Sequence, residues 1–468
     1  MKLWIKRGAA LLLALLLVFS VCGCNKDEGG EKQEKELKVY EGEVPVDLEG
    51  YEFTVVDFNS GRWNRENSGT PFYDAWQQAL DEVEGLYNCT ISTTYVGPSE
   101  LFTALQPEVA AGGKYADLVV TTQWAYGYLM GADLMLDLNE LDINWDLPYW
   151  NQNIRRISTI QGKTYAGNGS FIFDTSNTYM LYYNETIWNE LGLPDPVELT
   201  KSGKWTQDLF ADYCRRAMLD QDGTGVVDSL EDRWGITTPD GDFARAMFMG
   251  MGGHYFLTDA ETGKVKLACN NDRAYTIVEK MHSMVQKDKS LCKLVGSDWP
   301  VVVKQFTDGN ALFLGNCPGV NELKDMEDDW GVMPMPKLDE SQDGYYSCVD
   351  HNSSVFGVTS TNTTQRETGI VLNALGLHCQ ILEDIYWPDY KETYWRHEGD
   401  GQLIADYVVR TGQYDLAILM QNANSVFAAP MGRVFGTAFS GASGADFSSY
   451  MQSVEEVINI QIEEVFGY

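Results

Sequence analysis

Asp220-Gln-Asp222-Gly-Thr224-Gly225-Val226-Val227-Asp228-Ser-Leu-Glu231 places oxygen-bearing residues at the intervals a hard cation needs. Such an ion takes six to eight oxygens, and these residues offer the carboxylates of Asp220, Asp222, Asp228 and Glu231, the Thr224 hydroxyl and the Val226 carbonyl. Gly225 permits the sharp turn between them. The spacing fits the calcium-loop template, with Thr224 where Asp or Asn is usual. Four carboxylates this close repel one another unless a cation sits among them, so the expectation is a structural Ca2+; the competing reading is a solvated acidic turn. Asp232-Arg-Trp-Gly-Ile reads as extended, which makes this a helix, loop and strand rather than a paired helix-loop-helix.

Other chemistry is sparse. His351 follows Asp350, but an acid beside a histidine without a placed nucleophile is a hydrogen-bonding contact more often than a general base. HExxH, GxSxG and a phosphate-cradling glycine loop are absent from the sequence, and no Cys/His zinc spacing occurs. Beyond Cys22 and Cys24, the widely spaced Cys89, Cys214, Cys269, Cys292, Cys317, Cys348 and Cys379 read as mostly buried free thiols, with one structural pair left open.

Lys2, Lys6 and Arg7 precede an apolar run from Ala9 to Phe19, and Val21-Cys22-Gly23-Cys24 closes it. The run is shorter than the roughly 20 residues of a membrane span, and Asn25-Lys26-Asp27-Glu28 follows at once. This is an export signal rather than part of the fold. The pattern resembles a bacterial lipoprotein signal, which would leave lipid-bearing Cys24 at the new N-terminus and tether the chain to the outer face of a cell membrane. An ordinary secreted protein is the alternative.

Cleavage after residue 23 leaves 445 residues, long for one core and suited to two domains. The net charge of −34 disfavours nucleic acid and anionic lipid surfaces. Tyrosine and tryptophan are plentiful, at 25 and 13, and offer flat apolar faces with polar tips. Asn25 to Asp47 is rich in Glu, Lys and Gly and reads as a flexible stalk.

Folded sequence begins at the strand Tyr51 to Phe58. A helix follows from Pro71 to Gly85, then a strand from Cys89 to Tyr95, a helix from Leu101 to Ala111, a buried strand from Asp117 to Thr122 and a helix from Tyr126 to Leu134. The alternation continues with a strand at Tyr179 to Tyr183 and helices at Glu185 to Leu191, Thr206 to Leu219, Asp272 to Lys287, Asn362 to Cys379, Gln402 to Gly412 and Phe447 to Phe466. Strands alternating with helices imply α/β architecture with a parallel or mixed sheet.

Several segments together resemble the family 1 extracellular solute-binding proteins, the sugar-binding components of ABC importers. They are Gln161-Gly-Lys-Thr-Tyr-Ala-Gly167; Leu181-Tyr-Tyr-Asn184 with Leu191-Gly-Leu-Pro-Asp-Pro196; Lys204-Trp-Thr206, with its Trp and Thr in swapped order; Phe306-Thr-Asp-Gly-Asn-Ala311; and Trp330-Gly-Val-Met-Pro-Met-Pro336. The resemblance implies a periplasmic-binding-protein-like fold of two α/β lobes, joined by crossover strands, with ligand in the cleft between them. Residues 48–173 and 353–395 would form the N-terminal lobe and residues 180–345 and 396–468 the C-terminal one, behind a signal at 1–23 and a stalk at 24–47. Crossings are expected near Asp174 to Tyr179, Cys348 to Ser353 and Trp395. The implied activity is capture of a sugar or oligosaccharide by hinge closure and delivery to ABC permease subunits, by a monomer without enzymatic activity.

A sugar ring presents C–H faces that stack on aromatic rings and hydroxyls that need paired donors and acceptors. Candidates therefore lie after strand ends and at the crossings. These are Asn59, Arg62 and Trp63; Gln123, Trp124 and Tyr126; Phe173 and Asp174; Asn316; Asp350 and His351; and Trp395. Trp124 stands out because the strand stops and the loop begins there, whereas Trp76, Trp188 and Trp234 read as core. The alternatives are a surface glycosidase working with two carboxylates, and a binding protein that serves a sensor kinase.

Overall fold

Tyr51–Asp57 buries alternate side chains early and nearly all of them late, as a strand does when it enters a covered sheet. It pairs in parallel with Cys89–Tyr95 and with Leu118–Thr122, whose five residues are all buried. A fourth strand, Ser354–Gly357, arrives from far along the chain and runs antiparallel to Leu118–Thr122, with Ser354 opposite Thr122. Helix Pro71–Tyr87 starts where the Thr70 hydroxyl accepts from the Tyr73 N–H and proline occupies the first helical turn; it stops at Asn88, at φ 46°. It packs on helix Gln365–Cys379, and His378 of that helix stands 2.8 Å from both Glu82 and Glu43, all three side chains being buried.

The computed structural model describes residues 37–67, 69–172, 177–386, 394–439 and 444–468. Residues 41–468 form one compact unit; in the other, residues 1–40, the Lys38 ammonium lies 4.0 Å from the centre of the Tyr40 ring. Cys24, Phe173 and Asp174 fall outside the described residues.

A second sheet is ordered Trp330–Met333, Met180–Asn184, Ala311–Asn316, Trp234–Thr237. Met180–Asn184 is antiparallel to both its neighbours, while Ala311–Asn316 and Trp234–Thr237 run parallel, so the sheet is mixed. Phe313 lies at the centre of its aromatic core, between Phe210 at 5.1 Å, Trp205 at 5.9 Å and Trp188 at 6.1 Å. Two α/β lobes result, the architecture the resemblance implies.

Thr178 bridges Val349 antiparallel, and Ser347–Cys348 pairs in parallel with Gly412–Gln413, so three passages of the chain lie side by side between the sheets. The chain also leaves helix Gln365–Cys379 in the first lobe and reappears at Tyr394 and Trp395, packed on Trp330 in the second; residues 387–393 between them lie outside the described residues. After Gln413 the short helix Leu416–Met420 returns to the first lobe, against helix Gln123–Gly131. Gly127 makes that approach possible, since a Cβ there would come within 2.2 Å of the Leu419 carbonyl oxygen. A boundary between lobes at residue 396 therefore misses this second visit. Among the described residues Cys89, Cys214, Cys269, Cys292, Cys348 and Cys379 are free and buried.

Asp415 ends the third passage. Its buried carboxylate accepts the N–H groups of Tyr255 at 2.8 Å and Ala417 at 2.9 Å, yet burial outweighs these donors and pushes its pKa up to about 7. An unfolded Asp titrates near 3.9. Between those values the folded chain holds a proton the unfolded chain has released, so this group's stability contribution falls as pH rises from about 4 to about 7, by on the order of 1.4 kcal/mol per pH unit. Urea unfolding across that window is expected to show the slope. Asp240 and Asp400, both pushed up to about 6 by burial, add to the same slope, so Asp415→Asn, which keeps the helix cap, is expected to make it shallower, most visibly between about pH 6 and 7; an unchanged slope there would remove Asp415 as a source. The strongly lowered Asp232 and Asp259 act below this window.

Candidate functional site

The C-terminal ends of the first lobe's strands converge on one polar cluster. Asp57 closes the first strand, and its carboxylate accepts the Trp63 indole N–H at 2.7 Å and lies 3.5 Å from the Arg62 guanidinium. Arg62 donates to the Ser354 hydroxyl at 2.8 Å and so reaches the returning strand; its second terminal nitrogen has no partner among the described residues. Trp63 turns inward and packs on Trp76, with ring centres 5.3 Å apart. Asn59 stays in an exposed turn, where its side chain accepts the Gly61 N–H.

Helix Gln123–Gly131 begins at Gln123, three residues earlier than its apolar spacing suggests. Gln123 and Trp124 therefore sit in a first helical turn, directly on the strand end. Gln123 is fully buried and donates to the Asp350 carbonyl at 2.9 Å and the Ser353 hydroxyl at 2.7 Å, fastening the first lobe to the second passage. Trp124 is half-buried, with its indole N–H on the Asn352 side-chain oxygen at 3.2 Å. Tyr126, two residues on, points the other way: it is fully buried and donates its hydroxyl to the Tyr165 carbonyl.

The network continues through the crossing. Asp350 accepts from Asn352, from the Tyr179 hydroxyl at 3.3 Å and from His351 at 3.0 Å. Burial alone would raise its pKa, but His351, the Asn352 N–H and nearby Arg245 outweigh it and hold the carboxyl below the usual range. Arg245, from helix Asp240–Gly250 of the second lobe, lies 3.1 Å from His351 Nδ1 and 3.7 Å from Asp350, and pairs with Asp242. Asp242, Asp350 and His351 are near enough to ligate a metal, but the Arg245 guanidinium already occupies the cationic position among them. His351 Nδ1 faces both Asp350 and Arg245, which leaves it a network role and not that of a general base.

On the second lobe, Asn316 ends its strand with its side chain accepting the Cys317 N–H at 2.6 Å. Asp240 follows strand Trp234–Thr237; burial, opposed by Lys293, pushes its pKa up to about 6. Phe435 is exposed and stacks on Phe439 at 4.8 Å, and Phe439 packs on Phe243. Trp395 is 8% exposed and belongs to this lobe's core. Trp63, Tyr126 and Trp395 are thus core residues, while Arg62, Gln123, Trp124, Asp350 and His351 come together. Tyr179, Asp242, Arg245 and Asn352 join them and escaped sequence reasoning. The strand-end rule that singles out Trp124 also singles out Asp242 once the strand Trp234–Thr237 is continued into its loop.

The acidic loop lies apart from this cluster. Asp220 accepts the N–H groups of Gly223 at 2.7 Å and Gly225 at 2.6 Å, and the Thr224 hydroxyl donates to the Val226 carbonyl at 3.1 Å. Asp220 and Asp222 approach Asp232, which the template did not include, each offering an oxygen within 4.8 Å of the others. Asp228 and Glu231 are exposed and outside that group. Burial works against ionisation of Asp232, but donors from Gln221, Asp228 and Ser229 hold it far below the usual range.

Residues 67–366 match the family model described as bacterial extracellular solute-binding protein. No protein of curated function matches. Among solved structures, the chain resembles the cyclic alpha-maltosyl-1,6-maltose binding protein of Arthrobacter globiformis, with a TM-score of 0.60 and 15% identity over 89% of this chain and 100% of that one. A family 1 extracellular solute-binding protein from Bifidobacterium longum subsp. infantis matches at a TM-score of 0.57 and 12% identity, over 86% and 98% of the two chains. The maltose/maltodextrin-binding domain MalE of Bdellovibrio bacteriovorus, bound to maltotriose, matches at 0.52 and 15%, over 89% and 100%.

Proposed function

Because this chain belongs to the bacterial extracellular solute-binding proteins, we propose that its two lobes close on a sugar or oligosaccharide and deliver it to the permease subunits of an ABC transporter. It is a binding protein and not an enzyme, which removes the glycosidase reading. The observation that carries the sugar reading is the half-buried Trp124 ring at the start of a hydrogen-bonded chain that runs through Asn352 and Asp350 to Arg245 and Asp242 of the other lobe. A stacking face beside a dense set of donors and acceptors is what a sugar ring requires. The solved relatives include maltose- and maltotriose-binding proteins. Calorimetric titration with maltotriose, followed by chromatography of the recovered sugar, tests this: saturable binding and intact sugar are expected. Absence of heat across a panel of neutral oligosaccharides would sink it.

Lipid at Cys24 completes the proposal, as a tether that keeps the receptor beside its transporter. No helix among the described residues is long and apolar enough to cross a membrane. Cys24→Ala is expected to release the chain into the medium and impair uptake while leaving maltotriose affinity unchanged; full retention in the membrane fraction would contradict this role.

The acidic loop fits a structural calcium ion. Three converging carboxylates repel without a cation, and Asp220, Asp222 and Asp232, with the Thr224 hydroxyl and the Val226 carbonyl nearby, supply hard oxygen donors. Asp232 takes the place first expected of Glu231. The unfolding midpoint is expected to be several degrees higher in millimolar calcium than in chelator, and Asp222→Asn to erase most of the difference. Equal midpoints in the two buffers would dismiss the ion.

A further inference from the structure

A cavity of about 460 Å³ lies beside the interlobe passages, walled by Thr178, Val349 and Gly412, by residues 148–151, 153 and 168–170 of the first lobe, and by Glu383 and Arg410. Its volume falls within the range of small-molecule sites. Thr178 and Val349 are paired across the hinge ladder, and the next residue on each strand, Tyr179 and Asp350, belongs to the polar network described above. Successive side chains on a strand point to opposite faces, so the hinge strands form one wall with the polar cluster on one side and this cavity on the other.

We propose that this cavity is a second site, for a neutral polyol or single sugar ring, and that its occupancy is coupled to the cleft through the hinge. Tyr149 is half-buried and supplies aromatic surface for C–H faces. Trp150 is 3% exposed and backs this wall, its ring packed on Tyr149 with centres 5.3 Å apart. Asn168 and Ser170 bring further polar groups. Glu383 and Arg410 stand 3.6 Å apart at the wall, half-exposed, and Arg410 also pairs with Asp406; the wall offers no unpaired cation and so favours an uncharged solute over an anion. Glu383 follows a first-lobe helix, whereas Arg410 adjoins the third passage, so a change of hinge angle moves the cavity's walls relative to one another. A solute that fits one angle better than another must then alter cleft affinity, and the cleft ligand must alter its own by the same factor.

The test uses the full chain labelled with 5-fluorotryptophan, with the Trp150 fluorine resonance assigned by its loss in Trp150→Phe. D-glucose, D-galactose and glycerol are the probes, each at up to tens of millimolar. At least one is expected to shift the Trp150 resonance saturably, and Glu383→Phe, which places bulk at the half-exposed wall, to abolish that shift. At saturation the same probe is expected to change maltotriose affinity about fivefold or more in the wild type and not in Glu383→Phe. Failure of every probe to move the resonance, an equal shift in Glu383→Phe, or unchanged maltotriose affinity would each overturn the proposal. The resonance reads the cavity directly, so its outcome is separate from whether maltotriose is the right cleft ligand.

Discussion

Arg245→Ala is expected to cost the fold about 3–5 kcal/mol, the range for removing one partner from a buried ion pair. The guanidinium stands among Asp242, Asp350 and His351, and its side chain is only 17% exposed. Without it, two carboxylates face each other in a site whose low polarity penalises uncompensated charge. The damage centres on the second passage, because Asp350 also anchors Tyr179 and Asn352. Maltotriose affinity is expected to fall along with stability. Arg245→Lys keeps the charge but not the planar fork that spans several acceptors, so an intermediate loss is expected. Urea unfolding of the three proteins measures this directly. A loss under about 1 kcal/mol in Arg245→Ala would mean the cluster relaxes without its cation, and that the network does not hold the lobes in register.

Trp124→Ala separates binding from folding. The ring is half-buried and makes one side-chain hydrogen bond, to Asn352, so its removal leaves the core intact. Aromatic residues at the centre of a binding surface are worth about 2 kcal/mol or more on truncation, which predicts a drop in maltotriose affinity of roughly 30-fold. Trp124→Phe, which preserves a flat face and loses the indole N–H, is expected to recover part of it. The urea midpoint of both variants is expected to stay at the wild-type value. An affinity change under about threefold would move the stacking platform elsewhere, with the exposed Phe435 the next ring to substitute.

The fold was legible because its strands are short apolar runs followed by turn residues and helices, and Leu118–Thr122 and Met180–Asn184 are covered on both faces. Longer-range order was less legible. Helix Ser425–Phe439 contains Pro430, which suggests a break but is accommodated within it. Leu416–Met420 is five residues long, too short for periodicity to show, and its place is set by contact with the distant Gly127. The site divided along the same line. Arg62, Gln123 and Trp124 follow strand ends, where that rule looks, and lie together; Trp63 and Tyr126 follow the same strands but turn inward, a choice made by Trp76 and Tyr165. Asp232 lies one position beyond the calcium template, and a linear pattern does not register that the chain ahead of strand Trp234–Thr237 folds back over the loop. Arg245 has no local signal, since its acids come from one helical turn earlier and from a residue more than a hundred positions away.

The contact of His378 with Glu43 and Glu82 bears on how mechanical load would travel. Tension entering the folded body at residue 43 ends on a buried histidine in helix Gln365–Cys379, which lies against helix Pro71–Tyr87. Both helices belong to the first lobe. A load applied at residue 43 therefore enters the molecule through the first lobe.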